Sequence, residues 1–263
     1  MATRLWPGVA CRASGSRAVS MTETLEKTPG GAILYDRSII SEISEARFDA
    51  SGWLHAEPLA GSFGSVGRGN TMYVGNVPRQ FVLRHFMRGG IIGKLIRDLY
   101  VWTGADRTRC FMEWRMLAKM AEAGLRVPRP AAARYCRKGL FYRADLITVR
   151  IPNVRPLSVC IGERAHDAHF WNSLGASIRG FHAAGVYHAD MNAHNLQIDD
   201  QGHLWMLDLD RGRLLQAGPW QQKTLARLHR SLQKIKALHP GVYYSAENWE
   251  QLLSGYFEAS RSA

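Results

Sequence analysis

The sequence predicts an α+β protein of two lobes, a small antiparallel sheet followed by a mainly helical half. Three observations carry this. Short runs alternating apolar and polar, divided by Gly- and Pro-containing turns, fill residues 31–150. From 166 onward apolar residues recur every three or four positions. Within the second region lies a polar stretch, His188-Ala189-Asp190-Met191-Asn192-Ala193-His194-Asn195, and a short apolar run after it ends in Asp208.

Taken in order, residues 1–30 are expected to be a disordered extension. The first 20 hold no acid, Met21 offers a second start, and 22–31 is polar. Ala32-Ile33-Leu34-Tyr35 reads as a short strand and 41–48 as a short helix. Residues 59–71 carry Gly61, Gly64, Gly67 and Gly69, a hairpin tip whose bare backbone can approach an anion closely. Met72–Val74 and Gln80–Phe86 alternate like paired strands around Gly75–Pro78. Residues 91–102 and 107–123 read as helices, the second carrying Glu113 and closed by Gly124 and Pro128. Residues 131–137 and 140–149 form a hairpin around Lys138-Gly139. A boundary near Ile151 divides an N-lobe (31–150) from a C-lobe (151–263). Helices then span 166–184, stopped by Gly185, and 221–238, which is basic and amphipathic. A last helix covers 248–257.

The polar stretch fits the pattern H-x-D-x-x-x-x-N, the catalytic loop of the protein-kinase fold. Asp and Asn before a strand are common turn formers, but turn chemistry predicts neither the five-residue spacing nor the second acid. Phosphoryl transfer requires both: a carboxylate to take the proton of the attacking hydroxyl, and oxygens to hold a cation on the phosphates. In that scheme Asp190 is the base, and Asn195 and Asp208 hold Mg2+. Arg84 stands where a strand lysine would grip the phosphates of ATP, Glu113 holds it, and the glycine hairpin covers the nucleotide. His182 and His188 lack partners at metal-ligand spacing.

Several features of ordinary protein kinases are missing. Asp208-Leu209-Asp210-Arg211-Gly212 replaces D-F-G, no A-P-E follows, and Ala189 replaces the arginine before the catalytic aspartate. These losses argue against a protein substrate. The net charge of +12 calls for an anionic partner. No helix-turn-helix, finger or aromatic RNA-binding signature accompanies it, so nucleic acid is not expected. The four cysteines are scattered, with no C-x-x-C pair. No apolar run reaches membrane-spanning length.

The chain resembles the 3-deoxy-D-manno-octulosonic acid (Kdo) kinases of lipopolysaccharide core biosynthesis over roughly 33–257. The resemblance rests on Gly67-Arg68-Gly69, the run Leu83-Arg84-His85-Phe86-Met87-Arg88-Gly89-Gly90, the run 124–130 (GLRVPRP), the catalytic loop, the run 208–212, and 225–232 (LARLHRSL). It implies ATP-dependent phosphorylation of the 4-hydroxyl of Kdo on a Kdo-lipid A precursor, by a peripheral protein on the cytoplasmic face of the inner membrane. Arg79, Arg84, His85, Arg88, Lys94, Arg97, Arg134, Arg137 and Lys138 would contribute to a face toward that anionic surface. The alternatives from the residues alone are a heptose or aminoglycoside kinase of the same fold, an atypical protein kinase, and a catalytically dead scaffold.

Overall fold

The computed structural model describes residues 21–59, 71–76, 78–87 and 98–259. The N-terminal part runs β1 (Glu23–Thr28), β2 (Gly31–Asp36), β3 (Ala56–Pro58), β4 (Thr71–Val74), β5 (Phe81–His85), β6 (Tyr100–Val101), α1 (Arg109–Glu122), β7 (Pro130–Lys138) and β8 (Phe141–Val149). The C-terminal part continues with β9 (Arg155–Pro156), α2 (Leu157–Glu163), α3 (Ala168–Ala183), β10 (Val186–Tyr187), β11 (Leu196–Ile198), β12 (Leu204–Met206), β13 (Arg213–Leu214), α4 (Trp220–Leu238) and α5 (Ala246–Glu258). The chain is thus an α+β protein with its large sheet first and its helices mostly last.

The large sheet is antiparallel, in the order β1-β2-β7-β8-β5-β4-β3, with β6 added to the start of β8. Alternation explains how it packs. Along β2, Ala32 and Leu34 enter the main core beneath α1, while Ile33 and Tyr35 enter a smaller core on the opposite face. That second face is covered by Ile39, Ile43 and Phe48 from the segment before β3. Here the expected helix over 41–48 shrinks to a short 3-10 turn, Glu45–Phe48.

Two further expectations change. The polar run Glu23–Thr28 is a strand, paired with β2 from Glu23↔Asp36 to Thr28↔Gly31. It is an edge strand, so backbone pairing holds it and its side chains need not be apolar. Tyr100–Val101, expected at the end of a helix, pairs with β8 instead. Residues 60–70, with the four glycines, and residues 88–97 lie outside the described residues.

In the C-terminal part, α3 packs against α5 by backbone contact. A Cβ on Gly175 would meet Leu252 O at 1.9 Å, and one on Gly255 would meet Asn172 O at 2.0 Å. Trp171, Leu174, Ile178 and Phe181 fill the buried stripe of α3. Helix α4 lays Thr224, Leu225, Leu228 and Leu232 inward. Helix α4 also holds the polar loop, through Ser231 Oγ.

Candidate active site

Gly185 ends α3 with φ +75°, and a Cβ there would meet Leu215 O at 2.5 Å, so glycine is required at this turn. The chain then passes through β10 into the polar loop. The loop is pinned at three points. Met191 and Ala193 are fully buried. Ala193 N donates to Ser231 Oγ of α4 at 3.2 Å, and Ser158 N of α2 donates to Ala193 O at 3.0 Å. The Asn192 amide oxygen accepts from His194 N (2.9 Å) and Asn195 N (3.1 Å), closing a tight turn.

His188 joins this loop to the strand end that carries Asp208. Its Nε2 donates to Leu207 O at 2.8 Å, and its Nδ1 accepts from Asp190 N at 3.1 Å. Burial pushes its pKa down, against the pull of the Leu207 carbonyl. A neutral imidazole with one donor and one acceptor nitrogen satisfies both bonds. Leu207 N donates to Asn195 O at 3.0 Å, which brings Asn195 and Asp208 together. Asn195 Nδ2 donates to Asp190 O at 2.9 Å, so the amide oxygen is the end left for another ligand.

Asp190 presents its carboxylate to solvent, with 62% of the side chain exposed. One oxygen accepts from Asn192 Nδ2 at 3.2 Å and the other from Arg227 Nη1 at 3.1 Å. Asp208 sits in the left-handed region at φ +56°. A non-glycine residue held there costs roughly 1 kcal/mol or more, and such strain gathers at functional sites.

The sheet contributes its part through Arg84 on β5 and Glu113 on α1. Arg84 Nη2 pairs with Glu113 Oε2, and Arg84 Nη1 donates to Asp208 Oδ1 at 2.5 Å. Arg84 also lies 4.5 Å from the Phe86 ring centroid. Burial pushes the Glu113 pKa up to about 7, against the opposing influence of Arg84. Burial also opposes the charge on Asp208, but Arg84 outweighs it and holds that carboxyl below its ordinary range. Arg84 therefore bridges a buried carboxylate on one lobe and an exposed one on the other.

All of the expected site residues among the described ones, Arg84, Glu113, Asp190, Asn195 and Asp208, stand on this one connected network. Gly61, Gly64, Gly67 and Gly69 lie outside the described residues. Sequence reasoning missed two partners. Arg109, at the start of α1, makes a two-pronged pair with Asp210, its Nε 2.8 Å from Oδ1. Arg227 reaches Asp190 from α4. The doubled acid in Asp208-Leu209-Asp210 was the one available signal for the first. Nothing local signals the second, because 37 residues separate its members.

Of the side chains expected on a basic face, several have partners within the protein. His85 Nδ1 lies 2.6 Å from Asp145, Arg134 Nη2 lies 2.9 Å from the same carboxylate, and Arg79 Nη1 donates to Ile39 O at 3.2 Å. Arg84 is also engaged, whereas Arg79, Arg137 and Lys138 are exposed. Arg88, Lys94 and Arg97 lie outside the described residues.

A loop carrying an aspartate and an asparagine, a second aspartate beside it, and a strand arginine fixed by a helix glutamate together define a two-lobed, kinase-like phosphotransferase. The chain belongs to the lipopolysaccharide kinase (Kdo/WaaP) family, whose profile matches residues 60–256. The 3-deoxy-D-manno-octulosonic acid kinase of Photobacterium profundum is 38% identical over 224 residues, 85% of this chain and 94% of that protein. The protein of the same name from Vibrio parahaemolyticus is 40% identical over 202 residues, 77% of this chain and 84% of the relative. The one from Xanthomonas axonopodis pv. citri is 41% identical over 208 residues, 78% and 82% respectively. No described helix is long and apolar enough to cross a membrane.

Proposed function

We propose that this enzyme transfers the γ-phosphoryl group of ATP to the 4-hydroxyl of Kdo on a Kdo-lipid A precursor, at the cytoplasmic face of the inner membrane. The observation that carries the reading is the near full-length similarity to three proteins named 3-deoxy-D-manno-octulosonic acid kinase, with the catalytic loop inside the matched span. The acceptor they are named for is a sugar acid. The net charge of +12 suits an anionic sugar on an anionic surface.

In this reading Asp190 takes the proton of the sugar hydroxyl as its oxygen bonds to the γ-phosphorus, and the bond from that phosphorus to the bridging oxygen of ADP breaks. Asn192 and Arg227, one on each carboxylate oxygen, hold Asp190 in one orientation. Arg84 has donors beyond the two it spends on Glu113 and Asp208, and those would meet the phosphates. Glu113 keeps the guanidinium in place. Gly61, Gly64, Gly67 and Gly69 are assigned to the cover over the nucleotide.

The residues fit Mg2+. Among the described residues no group of three or more His, Cys, Asp or Glu side chains is placed to hold a metal alone. Asn195 and Asp208 would supply two hard oxygen ligands, a share that suits an ion whose remaining ligands are phosphates and water. Bound there, the ion would neutralise charge on the phosphates.

The test offers the purified enzyme ATP with a panel of acceptors: Kdo-lipid A precursor, heptose-containing core fragments and an aminoglycoside. Product mass identifies the acceptor used. A single phosphate added to the Kdo-lipid A precursor supports the reading. Transfer only to heptose or to the aminoglycoside overturns it.

A further inference from the structure

Helix α4 contains no acidic residue in its nineteen positions. Lys223, Arg227, Arg230 and Lys234 follow at intervals of four, three and four. At 3.6 residues per turn they fall within an arc of roughly 60°, a single stripe about 16 Å long. All four are exposed, and the stripe lies away from the buried row of Thr224, Leu225, Leu228 and Leu232. Among the described residues, no carboxylate lies within ion-pair distance of Lys223, Arg230 or Lys234. This contrasts with Arg84, His85 and Arg134, each of which is paired with at least one acid.

The stripe touches the active site at one place. Arg227 Nη1 lies 3.1 Å from Asp190 Oδ1, and one turn further on Ser231 Oγ accepts from Ala193 N of the same loop at 3.2 Å. Helix α4 is thereby latched to the catalytic loop along the border of its cationic row. An anion lying along that row is delivered to Asp190, whereas a charge patch elsewhere on the surface would attract the molecule without orienting it.

We propose that Lys223, Arg227, Arg230 and Lys234 form the docking rail for the anionic head group of the acceptor, a carboxylate- and phosphate-bearing oligosaccharide. Arg227 couples the rail to Asp190. The inference rests on the acceptor assigned above. Charge complementarity selects the occupant, and the length of the stripe suits more than one sugar unit. A bare membrane surface would be met by charge spread over a face, not by a single row that meets the catalytic carboxylate through one of its members.

The test compares wild type with Lys223→Gln/Arg230→Gln/Lys234→Gln, leaving Arg227 in place. The acceptor is supplied in two forms, acylated in neutral detergent micelles and deacylated in solution. The expected result is a rise of tenfold or more in KM for both forms, with KM for ATP within twofold and an unchanged thermal midpoint. A control, Lys27→Gln/Arg107→Gln/Lys119→Gln, removes as much charge from elsewhere and leaves the acceptor KM within twofold. An unchanged acceptor KM in the first variant overturns the rail. So does an effect confined to the acylated form, which assigns the stripe to the lipid-bearing surface. If wild type itself transfers nothing to either Kdo acceptor, the assigned function fails, a result distinct from failure of the rail.

Discussion

Arg84→Ala tests the bridge between the lobes through stability as well as activity. Glu113 is 4% exposed and Arg84 22%. Removing one partner of a fully buried pair costs about 3–5 kcal/mol when the other must remain charged. Glu113 can escape by taking up a proton, because burial holds its pKa at about 7 even with Arg84 present. Without the guanidinium that pKa rises further. The lost bond to Asp208 adds at most about 1 kcal/mol, since that side chain is 48% exposed. The deficit at pH 6 is therefore expected near 1–2 kcal/mol, below the roughly 3–5 kcal/mol of a pair whose surviving partner must stay charged. Its pH dependence has a fixed sign. Glu113 binds its proton more tightly folded than unfolded, so its burial destabilises as pH rises above the ordinary glutamate range. In wild type that loss levels off near pH 7, whereas in the variant it continues. The deficit should grow by about 1.4 kcal/mol between pH 6 and pH 8, one pKa unit's worth. Urea unfolding followed by fluorescence of the eight tryptophans measures this at both pH values. The double variant Arg84→Ala/Glu113→Gln should show no such growth. A deficit equal at pH 6 and pH 8, or larger at pH 6, would refute the reasoning.

Other predictions follow from the same geometry. Asp208→Asn should raise the Mg2+ concentration needed for half-maximal transfer, and an identical metal titration would remove Asp208 from that role. His188→Ala should lower turnover by loosening the loop from Leu207; unaltered kcat would show that the two bonds of His188 are dispensable. Gly175→Ala should cost more than about 1–3 kcal/mol, because its Cβ would meet backbone oxygen on α5 rather than a movable side chain. Thermal unfolding reads this directly, and a midpoint equal to wild type would contradict the close α3–α5 crossing.

Much of the fold was legible because it rests on periodicity. The β4–β5 and β7–β8 pairs and the helices α1, α3, α4 and α5 all lie within a few residues of where apolar spacing puts them. The failures have one cause: their information is not local. β1 is a polar edge strand that exists through its register with β2. α2 is only seven residues long, too short to show a helical period. The site divides the same way. Asp190, Asn195 and Asp208 announce themselves by spacing, and Arg84 and Glu113 by order along the chain. Arg227 and Arg109 act on acids 37 and 101 residues away, and only the folded chain brings those pairs together.

In the proposed mechanism the exposed carboxylate of Asp190 directs phosphoryl transfer to a sugar hydroxyl. Single-turnover transfer from γ-labelled ATP to Kdo-lipid A precursor, in wild type and Asp190→Asn, tests it most directly. The variant should bind ATP normally, keep its thermal midpoint, and transfer about 10²–10⁴-fold more slowly, the range for loss of a positioned general base. Transfer within a few-fold of wild type would contradict the claim.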